Sequence, residues 1–157
     1  LMDIYAVPVK GQAIPKNSCL HKNNKNIEHL NRDLENTYAF LNKRFGIKKA
    51  EVIKGAQNSA LIVGAFTREG LQVGYARVIS DKTRFAYILD VYVDENYRRK
   101  KIGQNMIRFI LNHPELKDVY QWTLVTRDAH GVYIKVGFTQ LSEPSSWMEI
   151  RHERPNR

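Results

Sequence analysis

The chain has 157 residues, 43% of them hydrophobic, a length and composition that predict one domain over residues 1–157 with a buried core. Cys19 is the only cysteine, which excludes an internal disulfide and a cysteine-based metal site and favours a reducing, cytoplasmic setting. The formal net charge of +9 favours an acidic partner, a description that fits nucleic acid, an anionic membrane surface and a phosphorylated cofactor alike.

The first part of the chain gives few structural signals. Residues 3–7 predict a short edge strand before Pro8, and the rest of residues 1–26 has the composition of a loop. No apolar run approaches the roughly eighteen residues that a membrane span needs, so no span is predicted. Residues 1–18 lack the uninterrupted apolar segment of a signal peptide.

An amphipathic helix is predicted next. Its apolar residues recur at steps of 3, 4, 4, 3 and 4, at Ile27, Leu30, Leu34, Tyr38, Leu41 and Phe45. Asn26 is expected to cap this helix and Gly46 to end it. Tyr38 and Phe45 belong either to the core or to the lining of an acceptor pocket. Residues 47–54 fit either a short helix or a strand.

Three strand-like segments follow as a meander. Residues 59–66 and 71–80 are apolar and are joined by a hairpin turn at residues 68–70. A turn at Asp81 and Lys82 leads to Phe85–Val93, an apolar and aromatic run with one charge, which suits a strand covered on both faces.

The second half of the chain alternates helices and strands. Residues 103–112 predict a helix, residues 120–126 a strand, residues 129–136 a short helix and residues 147–150 a final strand. A strand, helix and strand in succession normally make a parallel crossover. The sequence therefore predicts a mixed α/β fold with a central mixed sheet flanked by helices.

Four consecutive cations lie between the third strand of the meander and the next helix. They are Arg98, Arg99, Lys100 and Lys101, and the helix opens directly after them at Ile102 and Gly103. A helix N-terminus presents unpaired N–H groups and about half a positive charge. Cations beside such an end predict a site for a phosphate or a diphosphate.

These residues also carry a family resemblance. Residues 94–107, D-E-N-Y-R-R-K-K-I-G-Q-N-M-I, are similar to the cofactor loop of the GNAT N-acetyltransferase superfamily, whose pattern is Arg/Gln-x-x-Gly-x-Gly/Ala. Arg98 fills the first place of the pattern and Gly103 the last. Lys101 stands at the middle glycine, where a positive φ would cost a lysine about 1 kcal/mol.

A second tract resembles the same family. Residues 126–138, T-R-D-A-H-G-V-Y-I-K-V-G-F, are similar to a motif of small, mostly bacterial GNAT proteins. Asp128 lies near the place where many members carry an asparagine. The two tracts occur in the family's order, and the resemblance covers roughly residues 59–140.

The resemblance implies a GNAT-like acyl-CoA N-acyltransferase fold and an enzyme that moves the acetyl group of acetyl-CoA, its co-substrate, to a primary amine. In the family, the end of the third meander strand pairs with the pantetheine arm, and one of its N–H groups polarises the thioester carbonyl. The implied cofactor-binding residues are Val91, Tyr92, Val93, Arg98, Arg99, Lys100, Lys101, Ile102, Gly103, Gln104 and Asp128.

Two residues are the predicted catalytic groups. Tyr133 matches the family tyrosine that protonates the departing thiolate; the alternative is a tyrosine that only packs its ring. Asp90 is the predicted general base. It is the one carboxylate inside an otherwise apolar strand, and its burial there would cost several kcal/mol unless it is paired, which marks it as the most informative acid of the chain. It would alternatively pair with a basic residue or bind the acceptor amine. Glu149 and His130 are the other candidate bases.

Three functions therefore compete. The favoured one is an N-acetyltransferase acting, as a monomer or homodimer, on a small-molecule or peptide amine without a metal, nucleic acid or membrane. The second is a GNAT-like protein that binds CoA but only senses it or acts as a scaffold. The third is a basic nucleic-acid-binding module, for which no helix shows a dense basic face with interleaved aromatic residues.

Overall fold

A computed structural model of the chain describes residues 2–6 and 28–155. In chain order its elements are β1 (Asp3–Ala6), α1 (Glu28–Phe45), α2 (Lys49–Gln57), β2 (Leu61–Phe66), β3 (Gln72–Ser80), β4 (Phe85–Val93), α3 (Ile102–Leu111), β5 (Gln121–Leu124) and α4 (His130–Ile134). Short 3₁₀ turns occupy Glu95–Tyr97, Pro114–Leu116 and Pro144–Ser146. None of the described helices has the length and apolar character needed to cross a bilayer.

The five strands form one mixed sheet in the order β1–β2–β3–β4–β5. The first four strands pair antiparallel with their neighbours, and β5 pairs parallel with β4. The connection from β4 to β5 contains α3, as a parallel crossover requires. The mixed α/β fold predicted from the sequence is therefore confirmed.

One face of the sheet is covered by α3. Its residues Met106, Ile107 and Ile110 are fully buried against side chains of β2, β3 and β4. Gly74 of β3 lies under this helix, and a Cβ there would come within 3.0 Å of the Met106 sulfur. Because these three residues are spaced by 1 and 3 positions, they lie on one side of α3 and form an apolar stripe that packs into the main core.

The opposite face is covered by α1 and α2. Ala56 of α2 packs in a smaller cluster with Ile62, Phe66 and Tyr75 of the sheet. Phe40 of α1 stacks on Tyr92 of β4, with ring centroids 4.1 Å apart. The contact between Phe40 and Tyr92 holds the C-terminal half of α1 over the second half of β4.

A bulge divides β4 into two halves. Tyr75 of β3 pairs with Tyr92 and Arg77 pairs with Leu89, so β4 has one residue more than β3 between these pairs. Asp90 lies in this interval with φ of +54°, in the left-handed region. The pairing with β5 ends at Ile88, before the bulge. The second half of β4 therefore leaves β5, and a cleft opens between the two strands.

The predicted elements agree with the structure, with one error. For residues 47–54 the sequence left two interpretations, and the helical one is correct from Lys49 onward, where α2 begins. The strand predicted over residues 147–150 is wrong: this segment has no regular structure, and Met148 and Ile150 are almost fully exposed. Its residues have strand propensity, but this part of the chain follows a 3₁₀ turn at Pro144–Ser146 and enters no ladder. The predicted Asn26 cap, residue 7 and Cys19 lie outside the described residues.

Candidate active site

The cleft between β4 and β5 has a volume of about 830 Å³. It is bounded by the second half of β4, the basic loop before α3, the loop after β5, α4 and the C-terminal end of α1. Twelve of the thirteen site residues predicted from the sequence line it: Asp90, Val91, Tyr92, Val93, Arg98, Arg99, Lys101, Ile102, Gly103, Gln104, Asp128 and Tyr133. The remaining one, Lys100, does not.

The basic loop is held in place by local hydrogen bonds. The Asp94 carboxylate accepts a hydrogen bond from the Asn96 N–H at 2.9 Å and so caps the 3₁₀ turn that follows β4. The Arg98 Nε donates to the carbonyl oxygen of Val93 at 3.1 Å. This bond fixes the base of the Arg98 guanidinium at the end of β4, within the cleft wall.

Two residues of this loop have left-handed backbone conformations. Arg99 has φ of +62° and Lys101, which immediately precedes α3, has φ of +60°. The conformation expected at the place of the family glycine is thus present, at a cost of about 1 kcal/mol for each side chain. Lys100 lies between them with its Nζ 5.1 Å from the centre of the Tyr97 ring. The loop therefore places Arg98, Arg99 and Lys101 in the cleft lining and Lys100 outside it.

The strand end at Val91, Tyr92 and Val93 presents its backbone rather than its side chains. Val91 and Val93 pack against the main core on the α3 face, whereas Tyr92 packs with Phe40 on the other face. Along this segment β4 is paired with β3 on one side. Its other edge borders the cleft, since β5 pairs only with Phe85–Ile88.

Asp90 is bound by an arginine of the neighbouring strand. One carboxylate oxygen, Oδ2, lies 2.5 Å from Arg77 Nε, and the two side chains are only 16% and 15% exposed. Arg77 also donates to the Gly55 carbonyl at 3.3 Å and to Ser59 Oγ at 3.4 Å. The pairing that the sequence left as an alternative for Asp90 is therefore present, and within the described part of the chain it engages Oδ2 and leaves Oδ1 without a hydrogen bond.

Tyr133 is 9% exposed and lies where α4 meets the cleft. Its ring packs edge-to-face with Phe138, at a centroid distance of 6.1 Å. Burial, assisted by the negative charge of Asp128, raises the pKa of the Tyr133 hydroxyl. The hydroxyl therefore keeps its proton throughout the neutral range and is a hydrogen-bond donor within the cleft.

Asp128 forms an ion pair that bridges the cleft. Its Oδ2 accepts a hydrogen bond from Arg44 Nη2 at 2.9 Å, which joins the loop after β5 to the end of α1. The hydrogen bond and the charge of Arg44 lower the pKa of the Asp128 carboxyl. The carboxylate is consequently ionised at neutral pH and is already engaged by a protein group.

The two other candidate bases lie away from the cleft. Neither Glu149 nor His130 lines it. Glu149 is exposed and pairs with Arg151 at 3.0 Å. His130 is an exposed residue at the first position of α4. Of the three candidate bases, Asp90 is therefore the one that lines the same cleft as Tyr133 and the basic loop.

The structure adds cleft residues that the motifs did not identify. Among them are two aromatic and three basic residues: Phe40, Tyr87, Arg44, Arg127 and Arg154. For Tyr38 and Phe45 the sequence allowed either a place in the core or a place in the lining of a pocket. Phe45 lines the cleft, whereas Tyr38 does not. Arg154 reaches the cleft because it donates to the Phe45 carbonyl at 2.5 Å, a contact across 109 residues that no local pattern signals.

Comparison with protein-family models matches the acetyltransferase (GNAT) domain over residues 58–140, just over half of the chain. A comparison with curated protein sequences finds no match.

Solved structures show the same relationship. A protein of Xanthomonas campestris pv. campestris assigned to the GNAT family is 34% identical, with a TM-score of 0.71, over 76% of this chain and 86% of that one. A GNAT family acetyltransferase of Streptococcus pneumoniae is 22% identical, with a TM-score of 0.67, over 99% and 100%. A protein of Clostridium acetobutylicum described as a predicted acetyltransferase and solved with acetyl-CoA is 18% identical, with a TM-score of 0.58, over 98% and 100%. The chain belongs to the GNAT family of acetyltransferases.

Proposed function

We propose that the protein transfers the acetyl group of acetyl-CoA to a primary amine by direct attack of the amine nitrogen on the thioester. The observation that carries the proposal is that one cleft brings together the basic loop, the free edge of β4 and the buried Tyr133 hydroxyl. These three features suit, respectively, a diphosphate, an extended arm that contains amides, and a departing thiolate.

The basic loop has the chemistry to hold the diphosphate. Arg98, Arg99 and Lys101 line the cleft, and the first turn of α3 directly follows them with N–H groups that no helical carbonyl accepts. Charge-assisted hydrogen bonds from such groups are about twice as strong as neutral ones. Arg99 and Lys101 have left-handed backbone conformations in the turn that leads directly into this helix end. The residues present therefore fit acetyl-CoA, which supplies an activated acetyl thioester when bound.

The free edge of β4 supplies hydrogen bonds to the reacting end of the co-substrate. Its N–H and C=O groups can pair with the two amides of the pantetheine arm, as the next strand of a sheet would. A backbone N–H near Val91 can donate to the thioester carbonyl oxygen, where negative charge develops during attack. A donor in such a position contributes about 3 kcal/mol to catalysis where this has been measured.

Tyr133 is the proposed donor to the leaving sulfur. As the C–N bond forms and the C–S bond breaks, the thiolate leaves and accepts the hydrogen bond of the Tyr133 hydroxyl. Even at their ordinary values, the pKa values of tyrosine and thiol differ by about 1.5 units, so full proton transfer from tyrosine is uphill by about 2 kcal/mol. Because burial raises the pKa of Tyr133 further, its contribution is mainly hydrogen bonding.

Asp90 is the proposed acceptor of the proton that the amine loses. Its Oδ2 is held by Arg77, an arrangement that fixes the carboxylate plane and leaves Oδ1 for the amine or for an intervening water. The bulge at Asp90 brings this carboxylate to the point where β4 leaves β5. The ion pair also favours the alternative of a CoA-binding sensor, in which Asp90 serves only to stabilise the bulge.

Acetyl-CoA binding and turnover separate these functions. Micromolar acetyl-CoA is expected to raise the melting temperature, whereas duplex DNA and RNA are not. Release of free thiol in the presence of a panel of amines then distinguishes an enzyme from a sensor. If millimolar acetyl-CoA does not raise the melting temperature, both the enzyme and the CoA-binding sensor are refuted.

Two neighbouring cations provide a matched pair of variants. Arg99→Gln removes a cation that lines the cleft and is expected to weaken acetyl-CoA binding about tenfold. Lys100→Gln removes the adjacent cation, whose ammonium lies over the Tyr97 ring, and is expected to change binding less than twofold. Equal losses in the two variants would indicate a non-specific charge effect.

A further inference from the structure

The charges around the cleft are strongly unbalanced. Six cationic side chains line it: Arg44, Arg98, Arg99, Lys101, Arg127 and Arg154. Among the described residues, Asp90 and Asp128 are the only carboxylates in this lining. Each is already bound by a guanidinium, Asp90 by Arg77 and Asp128 by Arg44. The cleft therefore has little capacity to neutralise a second positive charge on an acceptor amine.

Half of these cations lie away from the loop that suits the diphosphate. Arg44 is at the end of α1, Arg127 follows β5, and Arg154 reaches in from the segment after the last 3₁₀ turn. Phe40 and Phe45 of α1 line the same cleft and form an aromatic wall beside Arg44. A cofactor diphosphate at the start of α3 would not occupy these three arginines, although Arg44 already pairs with Asp128 and Arg154 lies near Glu51.

Arg154 is held in position before any ligand binds. Its Nη1 donates to the Phe45 carbonyl at 2.5 Å, and its Nη2 lies 3.7 Å from Glu51 Oε2 on α2. The Arg44 guanidinium lies 5.6 Å from the centre of the Phe45 ring. Both arginines thus contact Phe45, Arg154 through the backbone carbonyl and Arg44 through the ring, and Arg44 is held in addition by Asp128. A guanidinium group held in this way loses less conformational entropy when it binds a carboxylate or a phosphate than a freely rotating side chain does.

We propose that the acceptor is an amine that also carries an anionic group, a phosphate or a carboxylate, which Arg154 and Arg44 bind on the α1 side of the cleft. This inference rests on the proposed acetyl transfer. It disfavours polyamines and aminoglycosides, because their additional ammonium groups would face guanidinium groups without a free carboxylate between them. The aromatic wall would pack against the part of the acceptor between its amine and its anion.

Matched pairs of amines test the inference. Thiol release at saturating acetyl-CoA would be compared for ethanolamine and phosphoethanolamine, glucosamine and glucosamine 6-phosphate, and phenethylamine and phenylalanine, with spermidine as the polycation. Thermal shifts of the CoA-saturated protein with the same compounds measure binding without turnover. The anionic member of at least one pair is expected to exceed its partner about tenfold in kcat/KM, and the preferred pair distinguishes phosphate from carboxylate.

Two arginines of the same segment supply the control. Arg154→Gln is expected to raise the KM of the anionic amine about tenfold while the KM of acetyl-CoA stays the same. Arg151→Gln, at an exposed arginine that pairs with Glu149 outside the cleft, is expected to change neither. A higher KM for acetyl-CoA in Arg154→Gln would refute the inference, because the arginine would then serve the cofactor.

The remaining outcomes are also decisive. Equal or better use of the uncharged amines or of spermidine would overturn the inference while leaving acetyl transfer intact. Thermal shifts with acetyl-CoA but with none of the anionic amines at 10-fold the CoA concentration would overturn it as well. Failure of acetyl-CoA itself to bind would refute the proposed function, and the inference with it.

Discussion

Replacement of Asp90 by asparagine tests the ion pair at the bulge of β4. Asparagine has nearly the same shape and tolerates the left-handed backbone that Asp90 adopts, so the substitution removes charge with little other change. The Arg77 guanidinium, which is 15% exposed, would lose its only carboxylate partner among the described residues. Its bonds to Gly55 and Ser59 are long, at 3.3 and 3.4 Å, and would not compensate.

The expected loss follows from this degree of burial. Breaking a fully buried ion pair by removing one partner costs 3–5 kcal/mol, and an exposed pair is worth about 0–1 kcal/mol. A pair with about one-sixth of its surface exposed lies near the buried limit, so Asp90→Asn is expected to lower the free energy of unfolding by about 2–3 kcal/mol. Arg77→Met should have a similar effect, and the double variant should lose less than the sum of the two.

Urea unfolding of the two single variants and the double variant gives the coupling directly. The exposed pair of Lys82 and Glu115, whose side chains are 40% and 54% exposed, is the control, and Glu115→Gln should cost no more than about 0.5 kcal/mol. Additive losses at Asp90 and Arg77, or a loss for Asp90→Asn as small as that of the control, would refute the reasoning. Thiol release by Asp90→Asn, measured where the variant is folded, then tests its role as the base.

Three further predictions follow from the cleft. Lys101→Gly should bind acetyl-CoA within about threefold of the parent affinity, since relief of the left-handed lysine offsets one lost cation; a loss of tenfold or more in a binding titration would make the ammonium itself the ligand. Tyr133→Phe should lower kcat about tenfold with an unchanged KM for acetyl-CoA, and unchanged turnover across pH 6–9 would remove its role. For Asp128, the folded-state pKa is depressed, so its ion pair with Arg44 stabilises the protein above the unfolded pKa of about 3.9 and is lost as pH falls through the lowered value. The melting temperature of Asp128→Asn should therefore lie below the parent's at pH 7 and converge with it at the acidic end; a gap that persists there would contradict this.

The sequence predicted the elements of the sheet and one wall of the cleft because those features are local. Phe85–Val93 forms a strand with the predicted bounds, since its apolar run is closed by a turn at Asp94. The basic loop and Tyr133 lie within short motifs whose spacing is fixed by the elements that carry them. The error at residues 147–150 arose because strand propensity does not specify a partner, and the sheet offers this segment none.

The other wall of the cleft depends on contacts between distant parts of the chain. Arg44 meets Asp128 across 84 residues, and Arg154 meets Phe45 across 109. In the sequence each of these arginines is one basic residue among many on a strongly basic chain. The pairing of Asp90 with Arg77 depends on the extra residue in β4, which shifts the register of the two strands and which no pattern in the sequence indicated.

The early end of the β4–β5 ladder has a consequence for amide hydrogen exchange. Backbone groups of β4 before Ile88 are paired on both sides, whereas beyond it only the β3 side is paired. Those N–H groups that point toward the gap should exchange rapidly with solvent in the free protein, as at the margin of a sheet. A ligand arm laid along the gap would act as a sixth strand, slowing exchange on β4 and at the start of the loop together. Binding would then join the two strands into one cooperative unit, so that the co-substrate completes the sheet that holds it.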